Sequence, residues 1–163
     1  MLSGAIKQLK ELTKWGDLDF LFIDMPPGTG DIQISLAQKL SVSGAVVVTT
    51  PQEVALIDAR KGIEMFNKVG IPVVGIVENM ATHICSNCGY EESIFGQQGA
   101  QTMAQEYNTA MLGSLPLDAR IRKDVDQGLP TVATDPLGAL SAAYIAVGQQ
   151  VAAQLWLNNK VMH

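Results

Sequence analysis

Two kinds of hydrophobic pattern alternate along this chain. Short unbroken apolar runs, Phe20-Leu21-Phe22-Ile23, Ala45-Val46-Val47-Val48 and residues 72–77, stand between longer stretches in which apolar residues return every three or four positions. Continuous runs of this length suit strands of a parallel sheet covered on both faces, and the three-to-four spacing suits helices with one buried stripe. The runs predict strands over 19–24, 45–49, 72–77 and 110–115. The periodic stretches predict helices over 3–15, from Asp31 to about Leu40, 53–69 and 99–107, a short charged helix and turn over 119–130, and a last helix opened by Asp135-Pro136. Helix 53–69 offers Ala55, Leu56, Ala59, Ile63, Phe66 and Val69 to the core. The last helix offers Leu140, Tyr144, Val147, Val151 and Leu155. Strands alternating with helices of this length predict an α/β fold, a doubly wound, mostly parallel sheet with helices on both faces.

The alternation lapses over 81–98, which reads as an inserted loop, and it holds both cysteines of the chain. Loops carry function more often than they carry fold. The 163 residues suit a single domain, 47% hydrophobic and 17% charged, with a net charge of −5. That charge argues against a nucleic-acid surface. No apolar run approaches the length of a membrane span, and the first residues pattern as an amphipathic helix rather than a signal peptide, so a cytoplasmic protein is expected.

Candidate chemistry lies first where the run 20–23 ends in Asp24 and breaks into Met25-Pro26-Pro27-Gly28-Thr29-Gly30-Asp31. Ligands of doubly wound sheets bind at the carboxyl ends of strands, and a carboxylate there finds a partner in Mg²⁺ on a nucleotide. Gly28 and Gly30 let backbone N–H groups approach a phosphate. Asn79, just after strand 72–77, has a side-chain amide that both donates and accepts, as adenine reading requires; it equally suits a turn.

Cys85-Ser86-Asn87-Cys88-Gly89 is the second candidate. Two thiolates two residues apart reach one metal from a tight turn but fill only half a tetrahedral set. A twofold dimer with two such loops face to face supplies four, enough for a bridging [4Fe–4S] cluster. Zn²⁺ suits the same four thiolates, and a redox pair or two unliganded thiols also remain. His83 reads as a polar loop residue.

Ile23-Asp24-Met25-Pro26-Pro27-Gly28-Thr29-Gly30-Asp31 resembles the Walker B and switch II segment of the Mrp family of deviant P-loop ATPases, relatives of MinD and ParA that carry iron–sulfur clusters. Val47 to Asp58, Gly75 to Met80, and His83 to Gly89 with Phe95-Gly96 match as well. The resemblance implies ATP with Mg²⁺ held through water by Asp24, and Gly28 directed at the γ-phosphate. It implies the base against Asn79 and the loop holding Pro116 and Asp118, with Gln52 and Asp58 as weaker candidates near the nucleotide and dimer face. It further implies an iron–sulfur cluster carrier whose homodimer bridges a [4Fe–4S] cluster through Cys85 and Cys88 of each subunit, working with apo iron–sulfur proteins and scaffold proteins. A MinD/ParA-like regulatory ATPase with structural zinc is the alternative.

One family part has no counterpart here: the phosphate-cradling Walker A loop needs a Gly-Lys dipeptide, and the chain contains none. Family members carry that loop after a strand beside the Walker B strand. The expectation is therefore a single partial domain over 1–163, the C-terminal portion of such an ATPase. It should be inactive in ATP hydrolysis alone, with strand 19–24 left unpaired at one edge.

Overall fold

The computed structural model describes residues 12–25, 28, 30, 33, 34, 37, 42–85 and 87–161. Its centre is a parallel sheet of β1 (Ala45–Thr49), β2 (Val73–Glu78) and β5 (Met111–Ser114), in the order β1-β2-β5. β1 and β2 are rich in β-branched residues, which pack well on a pleated surface. Crossovers between parallel strands need a helix. α1 (Glu53–Lys68) supplies it between β1 and β2, and α2 (Gly99–Glu106) between β2 and β5. After β5 come α3 (Ala119–Asp126), α4 (Thr131–Thr134) and the long α5 (Ala139–Val161).

Both faces of the sheet are covered, as the unbroken apolar runs require. On one face Val47 and Ile76 pack with Leu56, Ala59 and Ile63 of α1 and Ala100, Met103 and Ala104 of α2. On the other, Val77 and Leu112 pack with Val151, Tyr144, Val147 and Leu155 of α5. Adjacent strand residues point to opposite faces, so Ile76 and Val77 belong to different cores. The architecture is the doubly wound α/β sheet that the pattern predicts.

Four sequence expectations are corrected or refined. Residues 19–24 form no strand: the segment is irregular and pairs with no strand among the described residues. Phe20 and Phe22 still share a side, with ring centroids 6.4 Å apart. Leu18, Phe20, Leu21, Phe22 and Ile23 are all exposed. An apolar run makes a strand only where a neighbour completes its hydrogen bonds. Asp135 closes α4 rather than capping the last helix, which begins at Ala139. The loop 81–98 holds a small antiparallel pair, β3 (His83–Ile84) with β4 (Glu91–Glu92). The helix predicted over 3–15 ends sooner: residues 3–11 lie outside the described residues, Leu12 is helical, and 13–15 are irregular. Of the predicted helix from Asp31, residues 33, 34 and 37 are helical, while Asp31 itself lies outside the described residues, as do Pro26, Pro27 and Thr29.

Candidate functional site

A wide cleft of about 640 Å³ opens between the segment Ile23-Asp24-Met25 and β1, whose outer edge pairs with no strand among the described residues. Asp24, Asp58 and Asn79 all line it, with Thr49 and Thr50 at the end of β1. Each arrives from a different element: Asp24 from the segment before the glycine loop, Asp58 from the first turns of α1, Asn79 from the carboxyl end of β2. The Asn79 backbone N–H donates to the Thr49 carbonyl at 2.7 Å, which fixes the residue beside β1. Its side-chain Oδ1 accepts the Met80 N–H at 3.0 Å, and Met80 takes a left-handed backbone, φ 55°. The side chain thus closes a local turn and leaves its amide N–H₂ free of that bond. Asp58 Oδ1 lies 3.0 Å from Lys61 Nζ.

Other candidates stand apart from this cleft. Gly28 has φ 101°, a conformation that favours glycine, and is not among its lining residues. Gln52 precedes α1 and accepts from the Thr50 hydroxyl at 3.3 Å. Pro116 and Asp118 follow β5 on the cysteine side: the Leu117 N–H between them donates to Thr82 O at 2.7 Å, and Leu117 bridges to His83. The Asp118 carboxylate accepts the Arg120 N–H at 2.8 Å, capping α3, and meets Arg120 Nη2 at 2.8 Å. The Arg120 side chain holds its carboxyl below the usual carboxylate range.

The described residues of the cleft lining carry two carboxylates and no lysine or arginine. Phosphates need positive charge or a cradle of N–H groups, so these residues alone do not fit a nucleoside triphosphate.

Cys85 and Cys88 sit at the tip of the β3–β4 hairpin. The Cys85 N–H donates to Tyr90 O at 2.9 Å and the Gly89 N–H to Cys85 O at 2.8 Å, so Cys85 and Gly89 are held together across one tight turn. Gly89 takes φ 72° to close it. The Cys85 thiol is pushed below its ordinary value, chiefly by the backbone N–H of Cys88, then by that of Asn87 and by the Cys88 thiol, against partial desolvation and the charge of Glu92. N–H groups aimed at the sulfur stabilise the thiolate, the form that binds metal. Cys85 is half-buried and Cys88 exposed, and both are free. Among the described residues no third His, Cys, Asp or Glu joins them. His83 faces β4 instead, its Nδ1 3.8 Å from Glu92 Oε1, buried and without a hydrogen bond among the described residues. The two free thiols stand together on the turn and are presented outward.

Spacing alone revealed the cysteine turn; it did not reveal the buried Glu78, which closes β2 and whose Oε1 accepts the Ala100 N–H at 3.0 Å. A charged residue ending an apolar strand directly before a long loop was the available signal.

The chain is similar to several known proteins. The ParA family described as NUBPL iron-transfer P-loop NTPase matches residues 1–152. The iron-sulfur cluster carrier protein of Salmonella typhimurium is 56% identical over 162 residues, 99% of this chain and 44% of that protein. The mouse iron-sulfur cluster transfer protein NUBPL is 44% identical over 95% of this chain and 49% of its own length. The chain thus spans about half the length of the curated relatives it matches. Among solved structures, a nucleotide-binding protein of Archaeoglobus fulgidus in complex with ADP superposes with a TM-score of 0.71 at 38% identity, covering 78% of this chain and 52% of that one.

Proposed function

The chain belongs to the ParA family of NUBPL-type iron-transfer P-loop NTPases, and on that premise we propose that it carries an iron–sulfur cluster as cargo on Cys85 and Cys88. The observation behind this reading is the half-site: two cysteines on one tight turn, Cys85 biased toward thiolate, with no third ligand beside them among the described residues. A second copy supplies the other two thiolates, and a [4Fe–4S] cluster bridges the pair. Presentation at an exposed hairpin tip suits a cluster that must be handed on to apo iron–sulfur proteins or received from a scaffold protein. Free thiols also suit a reducing compartment such as the cytoplasm. No helix among the described residues is long and apolar enough to cross a membrane.

ATP handling would fall to a protein of the relatives' full length, about twice that of this chain. In that protein Asp24 would take the Mg²⁺ side and Asn79 the base side of the cleft, with Gly28 near the terminal phosphate and the Pro116–Asp118 loop against the base. The described lining of the cleft offers two carboxylates and no cation to phosphates, so the chain by itself should neither hold nor hydrolyse ATP.

Metal and sulfide analysis after anaerobic reconstitution tests the cargo. Iron and sulfide in equal amounts, at about two irons per chain, fit one bridged [4Fe–4S] cluster per two chains. Zinc that survives reconstitution in place of iron would instead favour a structural zinc site in a regulatory ATPase. Cys85→Ser and Cys88→Ser should each abolish iron retention.

A further inference from the structure

Glu78 is a buried acid that the half-site does not use. It closes β2 at 6% exposure. Its backbone is gripped on both sides, the Leu115 N–H donating to Glu78 O at 2.8 Å and the next residue's N–H donating to Thr49 O at 2.7 Å. Two residues after Ile76, its side chain falls on the face that α1 and α2 cover. There Oε1 accepts the Ala100 N–H at 3.0 Å.

That bond supplies what α2 lacks. The residue before the helix, Gln98, has a left-handed backbone, φ 61°, and gives no side-chain cap. The first N–H groups of a helix have no partner within it, and a carboxylate at that positive end is stabilised by the helix dipole as well as by the bond. A buried carboxylate in turn requires such a donor.

Both ends of the cysteine loop are therefore linked to Glu78, the start through Leu115 and the end directly. At its start the Ala81 N–H donates to Leu115 O at 3.0 Å, and Leu115 is itself bonded to Glu78. At its end the first turn of α2 hangs from the Glu78 carboxylate. Gly96 and Gly99 press the returning chain against Pro51 and Leu56 at the head of α1: a Cβ on Gly99 would stand 2.5 Å from Leu56 Cδ1. The next residue of the same strand end, Asn79, lines the cleft.

We propose that Glu78 is a positioning residue of the cysteine site: by holding the first turn of α2 its carboxylate fixes the return of loop 81–98 and ties it to the strand end that brings Asn79 into the cleft. This rests on the reading of Cys85 and Cys88 as metal ligands. A change at the cleft that shifts the end of β2 then reaches the cysteines through one buried side chain.

Cobalt(II), a thiolate-binding ion with a visible charge-transfer band, is the probe. In the full chain, Glu78→Ala should weaken cobalt binding about tenfold, the low end for residues that orient a metal's ligands from outside. Amide hydrogen exchange should rise across 82–98 while β1 and α1 keep theirs. Glu78→Gln keeps an oxygen acceptor at the same place and should restore both readings to within about twofold of the parent. Unchanged cobalt affinity in a folded Glu78→Ala chain would overturn the proposal. So would exchange that rises equally through β1, β2 and α1, the mark of a merely structural residue. If Glu78→Ala does not fold, Glu78→Asp, whose carboxylate is one methylene shorter and falls short of the Ala100 N–H, decides: exchange raised across 82–98 alone supports the tie, and exchange like the parent's overturns it. Failure of the unsubstituted chain to bind cobalt through its thiols would refute the cargo reading instead, and the exchange pattern would still judge the tie between Glu78 and the loop.

Discussion

Gly75 lies so close to Ala110 that a Cβ at position 75 would stand 2.6 Å from the Ala110 carbonyl oxygen and 2.5 Å from Leu112 Cγ. β2 and β5 approach each other only because residue 75 has no side chain, and the same approach sets the carboxyl ends of both strands, from which Asn79 and the Pro116–Asp118 loop depart. Gly75→Ala should cost about 3 kcal/mol, the upper part of the overpacking range, because the opposing atom is backbone and Leu112 is buried. Chemical denaturation of the two chains measures it. A change below about 0.5 kcal/mol would show that the strands can part without penalty.

Asp118 is committed to Arg120 and to the start of α3. Its folded pKa is lowered, first by the Arg120 side chain. The stability it contributes is therefore present above the unfolded carboxylate value of about 3.9 and is lost as pH falls through the lower folded value. Asp118→Ala should cost about 1 kcal/mol at neutral pH and less at the acid end, while Asp118→Asn, which keeps a capping oxygen, should cost less than Asp118→Ala. An acid titration of unfolding free energy that is parallel for parent and Asp118→Ala would contradict this.

Cys85 should react with an alkylating agent as a thiolate at lower pH than an ordinary cysteine, since the N–H groups of Cys88 and Asn87 support its charge. The effect should persist largely intact in Cys88→Ser, which keeps both backbone donors. Mass-resolved alkylation rates against pH would detect it. A half-maximal rate at or above the ordinary thiol value of about 8.5 would remove the electrostatic case for Cys85 as the primary ligand.

Leu18, Phe20, Leu21, Phe22 and Ile23 are exposed on the segment leading into the cleft, and Val48 is exposed on β1, an edge strand among the described residues. Exposed apolar surface beside an unpaired sheet edge promotes association. Sedimentation of the metal-free chain should show oligomers that Phe20→Ser combined with Phe22→Ser reduces. A monodisperse metal-free monomer at tens of micromolar would speak against it.

Much of this molecule could be read before its structure. The β-branched runs marked β1 and β2 because residues buried on both faces leave an unmistakable apolar string, and α5 was legible through the stripe from Leu140 to Leu155. Residues 19–24 carry an equally strong string and form no strand, because apolarity reports burial sought, while a strand also needs a partner's hydrogen bonds. Asp135-Pro136 imitated a helix start, whereas Pro130-Thr131 was the start of a one-turn helix too short to show a period. The cysteine turn was legible from spacing. The strands around it, two residues each, were below what any periodicity can signal. Asn79 follows the rule that strand ends bear ligands, Asp24 reaches the cleft without the strand that rule assumed, and Asp58, a weaker candidate by resemblance, joins them because α1 runs alongside β1.

The claim that two chains share one cluster is tested most directly by native mass spectrometry of the anaerobically reconstituted chain. The account predicts a dimer heavier than two polypeptides by the mass of one [4Fe–4S] cluster, with that increment absent from Cys85→Ser and from Cys88→Ser. A metal-loaded monomer, or a dimer that keeps the increment in either variant, would contradict it.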